Sequence, residues 1–379
     1  MGGFGTGSFC IMPSGEFRRW HLHPGEPVRD EDVAGDRFHV WISGSDASLA
    51  ATIGHAEGPY AFAALEGMQT ERHVLFPLTW MRYKHPALPV QMQSIRFSPV
   101  IPGALREASL PVHVIVWRVL NCSPHLVECS LMLTLTCRWP HTPPQVSFDL
   151  QHDNLCITGA LGDPNHWDRI AVAVPDLHSE GVYLQGIEPW NAQGPAEELW
   201  TDFAEDGELE PQLAKFAEPG AAAWVKFALE PGEAKDLPFV IMWHLPIYRS
   251  GPAKGAPRYY TQFLRKRRPD NAVVWLAEEA LEDFGQEWPN WRYWLFQIMD
   301  WHASLAGDPR FPLGSPGAAL NLLAALLEGH TVWTDEDRFH ILANGKDELQ
   351  RLARLRQSGL PIHLMWPHVA KALEAIAAG

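Results

Sequence analysis

The 379-residue sequence predicts a β-sandwich N-terminal domain followed by an α-helical domain. Three observations carry that fold class. Short apolar stretches of period two, punctuated by Pro and Gly, fill the chain to about residue 250 and show no helical period. A polar connector, "YRSGPAKGAPRYYTQFLRKRRPD", then separates them from stretches of helical period. The length, finally, suffices for two cores. The boundaries are therefore drawn at residues 1–250, 251–269 and 270–379.

The first element is "GGFGTGSFCIMPSGEFRRWHLHPGE". Its alternating Gly3, Gly5 and Gly7 suggest a phosphate-cradling loop, but such a loop needs a strand before the glycines and a helix after them. Here a β-like run, Ser8 to Met12, is followed by a Pro13-Ser14-Gly15 turn and a second run from Glu16 to Leu22. The stretch is predicted to be a hairpin whose glycines permit close backbone approach.

Further on, "LPVHVIVWRVLN" is apolar on both faces. In "LVECSLMLTLTCRW", Val127, Cys129, Leu131, Leu133, Leu135 and Cys137 alternate with polar residues, as in a half-buried strand. The turn from Asn121 to Pro124 predicts that the two form an antiparallel hairpin. "AAAWVKFALEPGEAKDLPFVIMWHLP" repeats the scheme around Pro231-Gly232-Glu233. The acidic "TDFAEDGELE" is expected to be a loop between strands. After the connector, Asp270 and Asn271 are N-cap candidates, and Val273, Ala277, Ala280, Leu281 and Phe284 recur at helical spacing. "SPGAALNLLAALLEG" has Pro near its start and Gly329 at its end, and Pro361 to Ala378 is amphipathic. Everything after the connector is expected to be helical.

Composition excludes several functions. A net charge of -15 and a pI near 5.6 disfavour nucleic acid or an anionic membrane as partner. Ala318 to Leu327 is too short to span a bilayer, and no signal-like run follows Met1, so no transmembrane segment and a cytoplasmic location are expected. The five cysteines, Cys10, Cys122, Cys129, Cys137 and Cys156, lack CxxC spacing and read as buried thiols. His21 and His23 share a strand face, but no third ligand is placed by sequence, so no metal site is expected. No cofactor is expected either. Seventeen tryptophans would suit sugar stacking, yet Trp117, Trp139, Trp224 and Trp243 lie in strand patterns and read as core.

"GGFGTGSF", "GEFRRWHLHPGE", "FPLTWMRY", "SPVIPGALREASLPVHVIVWRVLN" and "YYTQFLRKR" together resemble the N-terminal domain of the non-lysosomal glucosylceramidase and bile-acid β-glucosidase family, glycoside hydrolase family 116. "WRYWLFQIMDWHASLAGDPRFPLGSPGAALNLLAALLEGHTVWTDEDRF" is similar to the first helices of that family's catalytic domain, including Gly329-His330-Thr331-Val332-Trp333. The resemblance implies a β-sandwich leaning on an (α/α)6 barrel that hydrolyses β-glucosides with retention. It also implies a substrate site near Trp333, Asp335 and Asn344.

Retention needs two carboxyl groups about 5 to 5.5 Å apart. The family's nucleophile lies in a Leu-Glu-Gly segment, and aligning glycine on glycine puts Asn344 at the Glu position in "FHILANGKDELQRLARLRQSGLPIHLMWP". An amide cannot form the glycosyl ester. The family's Thr-x-Asp-Val segment is matched only by "RLARL", and nothing here matches the region of the acid/base Asp. No catalytic residue is therefore assigned. Asp347 and Glu348 lie within a turn of Asn344 and read as an acidic helix start.

The roughly 110 residues after the connector supply only about four or five helices, an incomplete (α/α) barrel. Trp291, Trp294, Leu295, Leu322, Leu323, Leu326, Leu327 and Trp366 are then expected to be uncovered. That would favour self-association or a complementing chain, while a chain ending near Leu245 stays monomeric. The sequence thus predicts a shortened relative of a β-glucosidase, inactive alone, with a glucoside-binding or scaffolding role. The alternative is one part of a split β-glucosidase whose second polypeptide carries the acid/base.

Overall fold

The fold was analysed in a computed structural model. It describes residues 2–12, 14–15, 17–24, 35–44, 48–54, 58–136, 147–152, 156–162, 168–175, 182–212, 216, 219–264, 272–281, 288–309, 315–327, 331–342 and 346–378. Strands β1 (Ser8–Ile11) and β2 (Phe17–His21) form the N-terminal hairpin. There follow β3 (Arg37–Ser43), β4 (Ser48–Thr52), β5 (Gln69–Leu75), β6 (Leu78–Lys84), β7 (Val90–Phe97), helix α1 (Leu105–Ala108), β8 (Val112–Asn121) and β9 (Val127–Leu135). Next come β10 (Ser147–His152), β11 (Cys156–Gly162), β12 (Arg169–Pro175), β13 (Val182–Asn191), helix α2 (Glu197–Asp206), β14 (Pro219–Leu229) and β15 (Ala234–His244). Among the described residues, eight strands form one antiparallel sheet in the order β10-β11-β12-β15-β8-β7-β6-β5, and five form another, β13-β14-β9-β3-β4.

The inner faces of the two sheets share one core, to which β8 contributes Ile115, Trp117 and Val119, and β9 contributes Leu131, Leu133 and Leu135. Trp117 and Trp243 are wholly buried. Each large apolar side chain so buried stabilises the fold by about 1.5–3 kcal/mol.

Two expected hairpins are instead arches that cross between the sheets. Chain neighbours β8 and β9 do not pair; β8 pairs with β15 in the large sheet and β9 with β14 in the small one. The arches at 122–126 and 230–233 therefore lie against each other, and Asn121 ties them. Its N–H donates to Glu233 O (2.9 Å), its carbonyl accepts from Gly232 N (3.0 Å), and its Nδ2 donates to His125 O (2.7 Å) and Leu229 O (2.9 Å). A turn signal marks a reversal of the chain, and a reversal within a sheet or between sheets looks the same in sequence.

Strand β9 is buried on both faces rather than one. Its outer face is covered by α2 and by Tyr60 and Phe62. The expected acidic loop is thus largely helix: Leu199 and Phe203, four residues apart, are buried against the small sheet, and Gly207 ends the helix at φ 82°. The acidic residues on its open face hid that apolar pair. Several polar groups enclosed by this layer are hydrogen-bonded, although the indole nitrogens of Trp41, Trp190 and Trp224 are buried without a partner among the described residues. His39 lies 3.0 Å from both Thr52 Oγ1 and Thr134 Oγ1, and Ser130 Oγ donates to Val225 O (3.0 Å).

Beyond a 3-10 turn (Tyr259–Leu264) come α3 (Ala272–Leu281), α4 (Asn290–Ala306), α5 (Ser315–Leu322), α6 (Ala324–Leu327), β16 (Thr331–Trp333), β17 (Phe339–Ile341), α7 (Lys346–Gln357), α8 (Ile362–Met365) and α9 (Pro367–Ala378). The β16–β17 hairpin interrupts a stretch expected to be all helix. Helix α3 buries Val273, Trp275, Leu276, Ala277 and Ala280 on the outer face of the large sheet, against Val112, Val114, Ala171, Val240 and Met242. This is why β8 is apolar on both faces. The N-cap candidates Asp270 and Asn271, and also Cys137, Trp139, Phe284 and Gly329, lie outside the described residues.

The expectation of uncovered helices needs correction. Trp291, Trp294, Leu323, Leu326, Leu327 and Trp366 are buried, and Leu295 and Leu322 are half-buried. They pack on the sheet, on one another and on Phe4, Phe76 and Val100 from the N-terminal part. What α4 leaves open is a different line, Tyr293, Phe296 and Met299, the last two 58% and 52% exposed. Among the described residues no helix is long and apolar enough to cross a membrane.

Candidate functional site

The glycine-rich start of the chain lies where the sheets, the 3-10 turn and the β16–β17 hairpin meet. Phe4 is buried edge-on against Trp366, with ring centroids 5.5 Å apart. Gly5 N donates to Thr331 Oγ1 (2.9 Å), and Tyr248 Oη donates to Gly5 O (2.7 Å) while accepting from Trp333 N (2.8 Å). A Cβ on Gly5, whose φ is 74°, would come within 2.8 Å of Trp333 N, and one on Gly7 within 2.5 Å of Leu22 Cα. The glycines are therefore required by close backbone approach. Arg258 completes the joint: wholly buried, it donates to Thr6 O (2.6 Å) and Leu22 O (2.8 Å). Burial pulls Arg258 below the usual arginine range and pushes Tyr248 up to about 12.

Trp333 is 1% exposed. Its indole stacks on Tyr259 at 3.7 Å and 12°, and Phe339 and His368 approach at 5.5 and 5.7 Å. No face of the ring is open to a sugar in this arrangement. Its Nε1 donates to Asp337 Oδ1 (2.9 Å), and Asp337 Oδ2 lies 3.0 Å from His368 Nε2. Asp337 adopts φ 62° in the turn of the hairpin, and Asp335 is half-buried, with its N–H bonded to Pro257 O (3.1 Å). Burial, and then the Asp337 charge, raise the Tyr259 hydroxyl above the ordinary tyrosine range. The structure thus brings Trp333 and Asp335 onto one hairpin. Asn344 lies outside the described residues. Asp347 is exposed at the start of α7.

Asp337 and His368 went unnoticed in the sequence, because no spacing links a hairpin turn to a helix 31 residues on. A second group of carboxylates lines a cavity of about 210 Å3 outside the small sheet, beside Trp190 and α2. Two of them serve loop backbone: Asp202 accepts from Glu210 N (2.9 Å) and Glu188 from Gln212 N (3.0 Å). Among the described residues no group of three or more His, Cys, Asp or Glu is arranged to hold a metal ion.

Two packed antiparallel sheets with helices on the outer face of the larger one, joined at an aromatic hub, define a protein related to glycosidases once the sequence match is added. Residues 1–288 match the family described as beta-glucosidase 2, glycosyl-hydrolase family 116 N-term. The chain belongs to that family. Among solved structures it is similar to a protein described as a kojibiose phosphorylase from the human microbiome, at 10% identity and TM-score 0.39, covering 77% of this chain and 31% of that one. It is also similar to a polysaccharide lyase, at 10% identity and TM-score 0.36, with 64% and 33% covered. A family 36 α-galactosidase from Geobacillus stearothermophilus gives 10% identity and TM-score 0.28, with 63% and 40% covered. The chain spans about a third of the length of the first two.

Proposed function

We propose that these 379 residues comprise a β-sandwich domain and the opening helices of an (α/α) barrel, divided near 250 and 270, and that alone they do not hydrolyse β-glucosides. Their role is to support or bind rather than to cleave. The observation that carries this reading is the amide at Asn344, in the position where family resemblance expects the nucleophilic carboxylate. Without a nucleophile the covalent route is closed. The architecture favours support, since the Trp333 hairpin is fixed to the sheets through Gly5, Tyr248 and Arg258. A glucoside at this place would meet Asp335 and the Asp337–His368 pair, with Trp333 as the buried member that holds the hairpin; Asn344 is assigned to the same site by family resemblance alone.

The test is incubation with an activated aryl β-glucoside. No aryl alcohol above a heat-killed control is expected, and in the Asn344→Glu variant at most a burst without steady turnover of an unactivated glucoside. Steady release by the unaltered chain, abolished by Asp347→Ala or Glu348→Ala, would overturn the reading.

A second reading, one part of a split β-glucosidase, is favoured by the exposed line Tyr293, Phe296 and Met299 on α4. It requires that turnover appear when a polypeptide carrying the acid/base is co-expressed.

A further inference from the structure

A pocket of about 270 Å3 lies beneath the N-terminal hairpin, away from the Trp333 hub. Its roof is the whole of β1, its floor the inner side of β5 and β6, and its far wall Asn321, Ala324 and Leu327 of α5 and α6. Most of the lining is apolar, but it includes Arg19 from the hairpin and Arg72 from β5, together with Ser8, Cys10, Thr79 and Ser98. Among the described residues no Asp or Glu lines it. In a protein of net charge -15, that is a local concentration of positive charge without a counter-ion among the described lining residues.

Two further features point the same way. Arg19 has φ 55°, in a strand with a register shift opposite Ser8 and Cys10. A non-glycine residue in the left-handed region costs about 1–2 kcal/mol. Such strain persists where surrounding structure or function demands the side-chain direction it produces. Behind the pocket, Arg96 is 2% exposed and faces Thr79 across the β6–β7 ladder. Cross-strand partners share a face, so Arg96 stands on the same side as the pocket-lining Thr79. It donates to Ser94 Oγ (3.0 Å) and Tyr83 Oη (2.8 Å) and lies over Trp117. Its Nη1 has no partner, and Arg96 pairs with no carboxylate among the described residues. A buried charge without an opposite one is unfavourable, and an anion nearby would relieve it. Arg72, although much of its surface meets water, is pulled below the ordinary arginine range by burial and then by Arg96.

We propose that this pocket binds a small aromatic monocarboxylate. An apolar cavity of about 150 Å3 accepts benzene. The volume here holds one ring with room for a short acidic arm. Two arginines in the lining suit a carboxylate, which takes paired N–H donors in one plane. The apolar walls disfavour a doubly charged, strongly hydrated phosphate and a neutral sugar with many hydroxyls.

The experiment is calorimetric titration of the full chain with phenylacetate, its neutral analogue 2-phenylethanol, glucose and inorganic phosphate. Phenylacetate should bind at least about tenfold more tightly than any of the other three. Arg19→Gly and Arg72→Gln should each weaken it by about tenfold. Arg19→Gly also removes the left-handed strain, so that variant should melt near the unaltered chain and report on binding rather than folding. In the unaltered chain, phenylacetate should slow alkylation of Cys10 by iodoacetamide, read by peptide mass. Equal binding of acid and alcohol, tighter binding of glucose or phosphate, unchanged affinity in both arginine variants, or no heat and no Cys10 protection at about 20 mM acid would each overturn the proposal.

Discussion

Gly5→Ala tests whether the N-terminal run is a structural joint. At φ 74° an alanine costs about 1–2 kcal/mol in backbone strain, part of which is offset because alanine stiffens the unfolded chain. The new Cβ also meets Trp333 N at 2.8 Å, Trp333 Cβ at 2.9 Å and Tyr248 Oη at 2.9 Å. The first two belong to a buried hairpin and cannot swing away, so overpacking adds about 1–3 kcal/mol. Gly103→Ala is the control: φ is 78°, yet no atom lies within 4 Å of its Cβ position. Chemical denaturation of both variants should give a loss of about 1 kcal/mol for Gly103→Ala and about 3 kcal/mol for Gly5→Ala. Equal losses would refute the close-approach argument and leave only the cost of backbone conformation.

Acid should destabilise the fold through its buried histidines. Burial, then Arg37, holds His39 down to about 3; burial, then Arg258 and Arg169, does the same for His244; and burial, then the N-terminus and Arg96, keeps His113 well below its ordinary value. Each is neutral in the fold and protonates only on unfolding, so stability is full above about pH 6.5 and falls by about 1.4 kcal/mol per unit per histidine as pH drops toward 3. Denaturation across this range should show a shallower slope for His39→Gln, and an unchanged slope would refute the assignment. Removing the helices should also be costly. A chain ending at Leu245 bares Val112, Val114, Val240 and Met242, and even about 400 Å2 of apolar surface is worth about 10 kcal/mol. Such a chain, which the sequence alone predicts to stay monomeric, is therefore expected to aggregate in light scattering, because its large sheet is apolar on the outer face as well; a monodisperse monomer would refute the account.

The sequence made strand-forming stretches legible because apolar alternation is a property of neighbouring residues. It misassigned partners because pairing is not. Val127 to Leu135 alternates in sequence, but whether Thr134 and Ser130 face water or an enclosed layer depends on Tyr60, Phe62 and Phe203, far along the chain. The same limit explains the helices. Their apolar residues are legible in the sequence, but what covers them is a sheet apolar on both faces, as "LPVHVIVWRVLN" displays, and no local pattern says that the two meet. At the site, family resemblance led to Trp333 and Asp335. Asp337 and His368 meet only because the β16–β17 hairpin lies beside α9, a contact with no local signature.

The joint at Gly5 bears on how the two parts depend on each other. Trp333 donates one hydrogen bond to its own hairpin turn, from Nε1 to Asp337, and its backbone N–H donates to Tyr248, which follows β15. The hairpin itself has only three residues in each strand, too few to hold its shape alone. Its order is therefore borrowed from the sheets, through Tyr248, Gly5 and the stacked ring of Tyr259. Any ligand that reads Asp335 or the Asp337–His368 pair also reads the position of residues 2–7, because moving Gly5 moves the Trp333 backbone bonded around it. The sheet part acts at this site as the element that sets its geometry, and the glycine run at the start of the chain is where the two are joined.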